Sequence, residues 1–159
     1  MLYRLAKATT NTRVVILLLM GLVAAPDLAQ AKQLVVVTDK ASGTTNIKAA
    51  DFAGMFNARI RTWQDGRTIK IVMRDPGSED AQLILRRVLN MTPDEARALI
   101  KSHPDVVFVA DTDEAILRIV SSTPGAIGVI DLYSLTKDVT VVKIDGKLPL
   151  EPGYLLKGN

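Results

Sequence analysis

Arg74, Gly77 and Ser78 fall within the short run RDPGSED, directly ahead of the apolar-periodic run AQLILRRVLN. A guanidinium offers a planar fork of donors, a glycine lets the backbone come close to a ligand, and a serine adds a hydroxyl where helix N–H groups point outward. Those are the parts of an oxyanion site. Glu79 and Asp80 follow at once and put carboxylates where the anion would sit. The same residues therefore also read as a helix that caps itself, since a Gly-Ser turn followed by acids is ordinary N-terminal chemistry. On that reading Arg74 is solvated or paired with a neighbour such as Asp75 or Glu79, because an unpaired buried charge is too costly to keep.

Other chemistry finds little support. A hydrolase needs a nucleophile with a base beside it, and the one histidine, His103, sits in KSHP at a helix end, where a solvated imidazole meets the helix dipole. With no cysteine, metal binding would fall to carboxylates, and Asp111 to Glu114 (DTDE) does not match a calcium loop. Asp111, Asp113 and Glu114 read instead as counter-charges to the helix they begin, each contributing roughly 0.3–1 kcal/mol. Trp63, the single tryptophan, beside Asp65-Gly66, reads as a packing anchor rather than a ligand-stacking platform. No catalytic residue, metal or cofactor is expected, and the chain does not read as an enzyme.

Residues 1–31 carry Arg4, Lys7 and Arg13, then the apolar run VVILLLMGLVAA, then Ala29-Gln30-Ala31. This is the pattern of a cleavable secretory signal, and its apolar run is short of the ~20 residues that span a bilayer. Cleavage would leave Lys32 first, and a periplasmic domain over 32–159 without stable membrane insertion. Formal charge would fall from +3 to +1, because three basic residues and Asp27 leave with the signal. No basic run with interleaved aromatics remains, which excludes nucleic acid as a partner. The absence of cysteine excludes disulfides and lipid attachment at the cleavage site.

The elements that must position these residues alternate. Strands are expected at 34–38, 69–73, 106–109, 126–130 and 139–144, and a helix at about Lys48 to Phe56. A second helix puts Ala81, Ile84, Leu85 and Val88 on one stripe. Thr92, Pro93 and Glu95 form a capping box for the third, and Asp111 or Thr112 starts the fourth. Ile84, Val88, Ile116, Ile119 and Ile127 are expected in the core. The alternation predicts one compact three-layer α/β unit, from about residue 33 to 157, with a largely parallel sheet.

Four segments, LVVVT, DFAGMFNARIRTWQDG, RDPGSED and STPGAIGVID, together resemble in order the phosphate-binding members of the type 2 periplasmic binding proteins of ABC importers. The family's W-x-DG turn is matched by Trp63, Asp65 and Gly66, and its T-P-G-A-I-G strand by Thr123 to Gly128. In the family's Arg-x-x-Gly-Ser-Gly-Thr anion turn, Arg74, Gly77 and Ser78 match, while Glu79 and Asp80 replace Gly-Thr. The resemblance implies a type 2 periplasmic-binding-protein-like domain of about one lobe plus the return strand, so one wall of the cleft is expected to lie outside this chain.

Two functions follow. The first is an exported binding protein for phosphate or a related oxyanion, serving an ABC permease. In it Arg74 is the charged clamp, Ser78 a hydroxyl donor, and the N–H groups of Gly77 to Glu79 a dipolar cradle. Ser42 and Thr44 are secondary candidates for the rim, against the alternative that they belong to a loop capping the next helix. The second function is a single-lobe docking or signalling module, bound to a permease or other envelope protein, that has lost its ligand.

Overall fold

The computed structural model describes residues 32–158. The signal-peptide expectation lies on residues outside that range. Six strands form one sheet: β1 (Leu34–Asp39), β2 (Asn46–Ile47), β3 (Lys70–Arg74), β4 (Val107–Ala110), β5 (Ala126–Asp131) and β6 (Val139–Ile144), in the order β2-β6-β1-β5-β3-β4. The chain folds as the α/β unit its alternation predicts, but the sheet is mixed rather than largely parallel. β1 runs antiparallel to both its neighbours, β5 and β6, while β3 is parallel to β4 and β5. Strand patterning cannot reveal this, because a strand buried on both faces reads the same in either direction.

β1 is such a strand. Its residues are all buried, and alternation sends Leu34 and Val36 to one face and Val35 and Val37 to the other. On the first face lie α1 (Ala49–Phe56), α2 (Glu79–Ile84), α3 (Pro93–Ser102) and the tail residues Tyr154 and Leu156. α4 (Asp113–Ser122) covers the second face with Ile116, Leu117 and Val120. Its close approach depends on Gly128, where a Cβ would come within 2.7 Å of Ile116 Cγ2.

The stripe predicted for the second helix is only partly realised. After Ile84 the backbone widens into a π-helical segment, Leu85–Leu89, closed by Asn90 in the left-handed region at φ 47°. Ala81, Ile84 and Leu85 are buried, but Val88, beyond the change of winding, is half-buried, as is Ile119 on α4. The widened turn no longer repeats every 3.6 residues, so Val88 packs only against the rim of the core. α3 starts with the expected box: Glu95 N–H donates to Thr92 Oγ1 at 3.3 Å, and Thr92 N–H donates to Glu95 Oε2 at 2.7 Å.

The sheet has two poles. At the carboxyl pole β3, β4 and β5 end and β1 begins, since Leu34 pairs with Asp131 and Arg74 with Ala110. At the amino pole β3 and β5 begin and β1 ends, near the paired residues Thr38 and Ile127. The tail returns to the carboxyl pole, where Leu34 N–H donates to Leu156 O and Gly158 N–H to Lys32 O. Both ends of the described chain therefore lie at the carboxyl pole, where β3 also ends.

Candidate functional site

β3 is the element that aims Arg74. Ile71 and Met73 join the core on the first face and Val72 joins the second, so strand alternation sends Arg74 to the α4 side. There Arg74 Nη1 lies 3.2 Å from Asp113 Oδ1. Asp113, at 7% exposure, is nearly closed off from water. Its other oxygen, Oδ2, accepts from Asp131 N–H at 3.0 Å. One carboxylate thus joins the carboxyl ends of β3 and β5 through the first turn of α4.

The pairing corrects the neighbours expected for Arg74: its partner is neither Asp75 nor Glu79 but a residue 39 positions away. Sequence reasoning missed Asp113 because a helix-start acid has a sufficient local explanation. Thr112 is indeed the N-cap, accepting from Ala115 N–H at 3.1 Å. What the pattern could not show is which way the acid beside it turns.

Asp75 to Ser78 form the turn between β3 and α2, and Glu79 is the first residue of the helix. Asp75 Oδ1 accepts from Gly77 N–H at 2.7 Å, and Asp75 O accepts from Ser78 N–H at 2.9 Å. Ser78 Oγ caps α2, accepting from Ala81 N–H at 3.3 Å. The turn holds its own chain. Asp80 does not face an anion position: it is 8% exposed and lies 2.5 Å from Lys32 Nζ, with Glu79 at 3.7 Å from the same ammonium. The hydrogen bond to Asp80 raises the Lys32 ammonium above its ordinary pKa. Lys32 is thus a second residue whose role at this pole was not legible.

Ser42 and Thr44 lie elsewhere. They lie in the link from the amino-pole end of β1 to the edge strand β2, and β6, β1 and β5 stand between β2 and β3 in the sheet. Ser42 Oγ accepts from Thr44 N–H at 3.0 Å, and Ser42 O accepts from Arg67 Nη2 at 3.1 Å. Both line a cavity of about 720 Å³ with Asn46, Met55, Ile60 and Trp63. The six residues expected around one anion are therefore not brought together.

The amino pole is built as a lock. Trp63 is buried at 7% exposure, and its Nε1–H donates to Gly125 O at 2.9 Å, which supports the packing-anchor reading. Gly125 N–H donates to Asp39 Oδ2 at 3.0 Å, and Thr38 Oγ1 donates to Ala126 O at 2.8 Å. Arg67 reaches Asp39 at 3.7 Å and Asp65 at 2.7 Å, and its guanidinium holds the Asp65 carboxyl below the usual range. The two motifs W-x-DG and T-P-G-A-I-G thus meet in one hydrogen bond. His103 closes α3, with Nδ1 3.1 Å from Leu99 O.

Among the described residues no group of three or more His, Asp or Glu side chains is arranged to hold a metal. No helix there is long and apolar enough to cross a membrane.

No curated protein matches the chain. Solved structures do. A PstS from Borrelia burgdorferi is similar at 22% identity and TM-score 0.65, over 81% of this chain and 55% of that one. A putative phosphate ABC transporter substrate-binding protein from Clostridium perfringens, with bound phosphate, is similar at 20% identity and TM-score 0.63, over 74% and 47%. An ABC-type phosphate transport receptor from Vibrio cholerae is similar at 17% identity and TM-score 0.62, over 75% and 48%. The chain spans about half the length of these structures, and at such identities they speak for the fold alone. Residues 22–155 match the PBP superfamily domain, most of the chain, and the mixed six-stranded sheet agrees with it. The chain belongs to the periplasmic binding protein superfamily, with the type 2 fold.

Proposed function

We propose that this chain is a solute-binding domain for an ABC importer, taking phosphate or a related oxyanion at the carboxyl pole around Arg74. The observation that carries the reading is the position of that guanidinium. Open α/β sheets bind ligands outside the carboxyl ends of their strands, and Arg74 is the last residue of β3. It stays about one quarter exposed, and its ion pair with Asp113 uses Nη1, leaving other donors of the fork for a ligand. The neighbouring structures named for phosphate share the fold, which adds support from likeness. Binding of this kind needs neither cofactor nor covalent step. Export through residues 1–31, with cleavage before Lys32, and a periplasmic location beside a permease belong to the same proposal.

The docking reading draws on a specific observation too: the Arg74 fork and the Gly77 N–H each already meet a carboxylate of the chain itself. One titration separates the two. Phosphate or sulfate should raise the stability of residues 32–159 by linkage, approaching about 2.7 kcal/mol at a hundredfold excess over Kd. Arg74→Ala should abolish that gain. A general effect of kosmotropic salt would survive the substitution, since exclusion from the surface does not depend on one guanidinium. Calorimetry without heat for phosphate, sulfate or small carboxylates to millimolar concentration would leave docking as the function.

A further inference from the structure

The Asp113 carboxylate takes a donor of Arg74 that a bound oxyanion would use. Its two oxygens take an arginine N–H and a backbone N–H from two different strand ends, at 3.2 and 3.0 Å, which is how proteins hold an oxyanion. It does so while nearly buried, on the first turn of a ten-residue helix whose N-terminal N–H groups add favourable potential. The other charges at this pole do not compensate for it. Asp75 is turned to its own backbone, Lys32 is engaged by Asp80 and Glu79, and Asp131 Oδ1 accepts from Tyr133 N–H. Arg74 and Asp113 together are therefore a neutral pair, and an incoming anion meets no net positive charge.

We propose that Asp113 is an internal ligand that sets the affinity of the Arg74 site by occupying its seat. The inference rests on the proposed oxyanion reading for the seat, but not on the natural protein binding tightly. It has a consequence for selectivity. A monocarboxylate can offer Arg74 only what Asp113 already gives without loss of translational freedom, so the natural site discriminates against small carboxylates.

The test is a gain of affinity, which a merely structural role for Asp113 would not produce. Asp113→Ala, in residues 32–159, empties the seat. It should bind phosphate at least about tenfold more tightly than the natural chain, because a like charge within a few ångströms is removed. Formate should restore part of its lost thermal stability, and equimolar chloride should not. Asp113→Asn, which keeps an acceptor for Asp131 N–H but drops the charge, should also gain affinity and covers the case in which the alanine variant does not fold. The double variant Arg74→Ala, Asp113→Ala should lose the gain. A folded Asp113→Ala or Asp113→Asn protein that binds phosphate no more tightly than the natural chain overturns the inference. If the natural chain does not bind but Asp113→Ala does, through Arg74, the inference stands and the proposed function falls. If the natural chain binds through Arg74 and neither variant binds more tightly, the reverse holds.

Discussion

The two poles of the sheet use similar residues for opposite ends. At the amino pole, Asp39, Trp63, Gly125 and Arg67 close on one another, and Asp39 at 4% exposure and Trp63 at 7% are shielded from water. At the carboxyl pole Asp80 and Asp113 are nearly as buried, at 8% and 7%, and Arg74 is exposed to the same degree as Arg67 (26% and 28%); the difference lies in Lys32 and Glu79, which stay 40% and 90% exposed. The family motifs that this sequence matches most completely, W-x-DG and T-P-G-A-I-G, lie at the closed pole, where they hold the fold. The motif in which it departs, RDPGSED, lies at the open pole, where the chemistry would be. Family likeness read from the former says little about what the latter binds.

The largest effects should come from the closed pole. A Cβ at Gly125, whose φ is +82°, would fall 2.3 Å from Thr68 O, in backbone that cannot give way. Gly125→Ala should therefore prevent stable folding. Trp63→Ala should cost roughly 3–5 kcal/mol in chemical denaturation. A chain carrying Trp63→Ala with an unchanged midpoint would break the contrast between the poles.

Next is an alkaline effect from the packed tail between them. Burial pushes the Tyr154 phenol from 10.0 up to about 12, only partly offset by the Val36 backbone. A raised pKa means the folded state favours the protonated phenol. The stability this represents is fully present below the unfolded value and is lost as pH rises through the folded one, about 2–3 kcal/mol in all. Tyr154→Phe should remove most of that loss. It should also be neutral or slightly stabilising near neutral pH, because the enclosed hydroxyl makes no well-formed hydrogen bond. Denaturation midpoints for both proteins from about pH 8 to pH 12 would decide it.

The smallest effect belongs to the open pole. Lys32→Ala should cost about 1 kcal/mol or less, since its ammonium is 40% exposed and screened. Because the Lys32 pKa is also raised, its contribution too is present below the unfolded 10.5 and fades above it. Replacing Glu79 and Asp80 by Gly and Thr restores the family turn but also strips Lys32 of its partners. The double variant should tighten oxyanion binding, because two like charges leave the pole and the freed ammonium remains. An equal loss of stability in Lys32→Ala and Trp63→Ala would erase the distinction between a locked pole and an open one.

Much of the fold was present in the sequence as local pattern. The strand runs, the Thr92 capping box and the Asp65-Gly66 and Pro124-Gly125 turns are each fixed by neighbours within a few residues, where periodicity and capping chemistry act. Of the site, the sequence determined that Arg74 directly follows a strand, that Ser78 starts a helix and that no cysteine or second histidine supplies other chemistry. Tertiary structure decided the rest. The direction of β1 depends on which strands flank it, and the separation of Ser42 and Thr44 from Arg74 depends on that direction. Whether Asp113 serves the helix dipole or Arg74 depends on the side of the sheet to which α4 is bound. Lys32 meets Asp80 only because the chain enters the fold at the pole where α2 begins. Each of these is a contact between distant residues, and its energy comes from desolvated charge and packing that no local window contains.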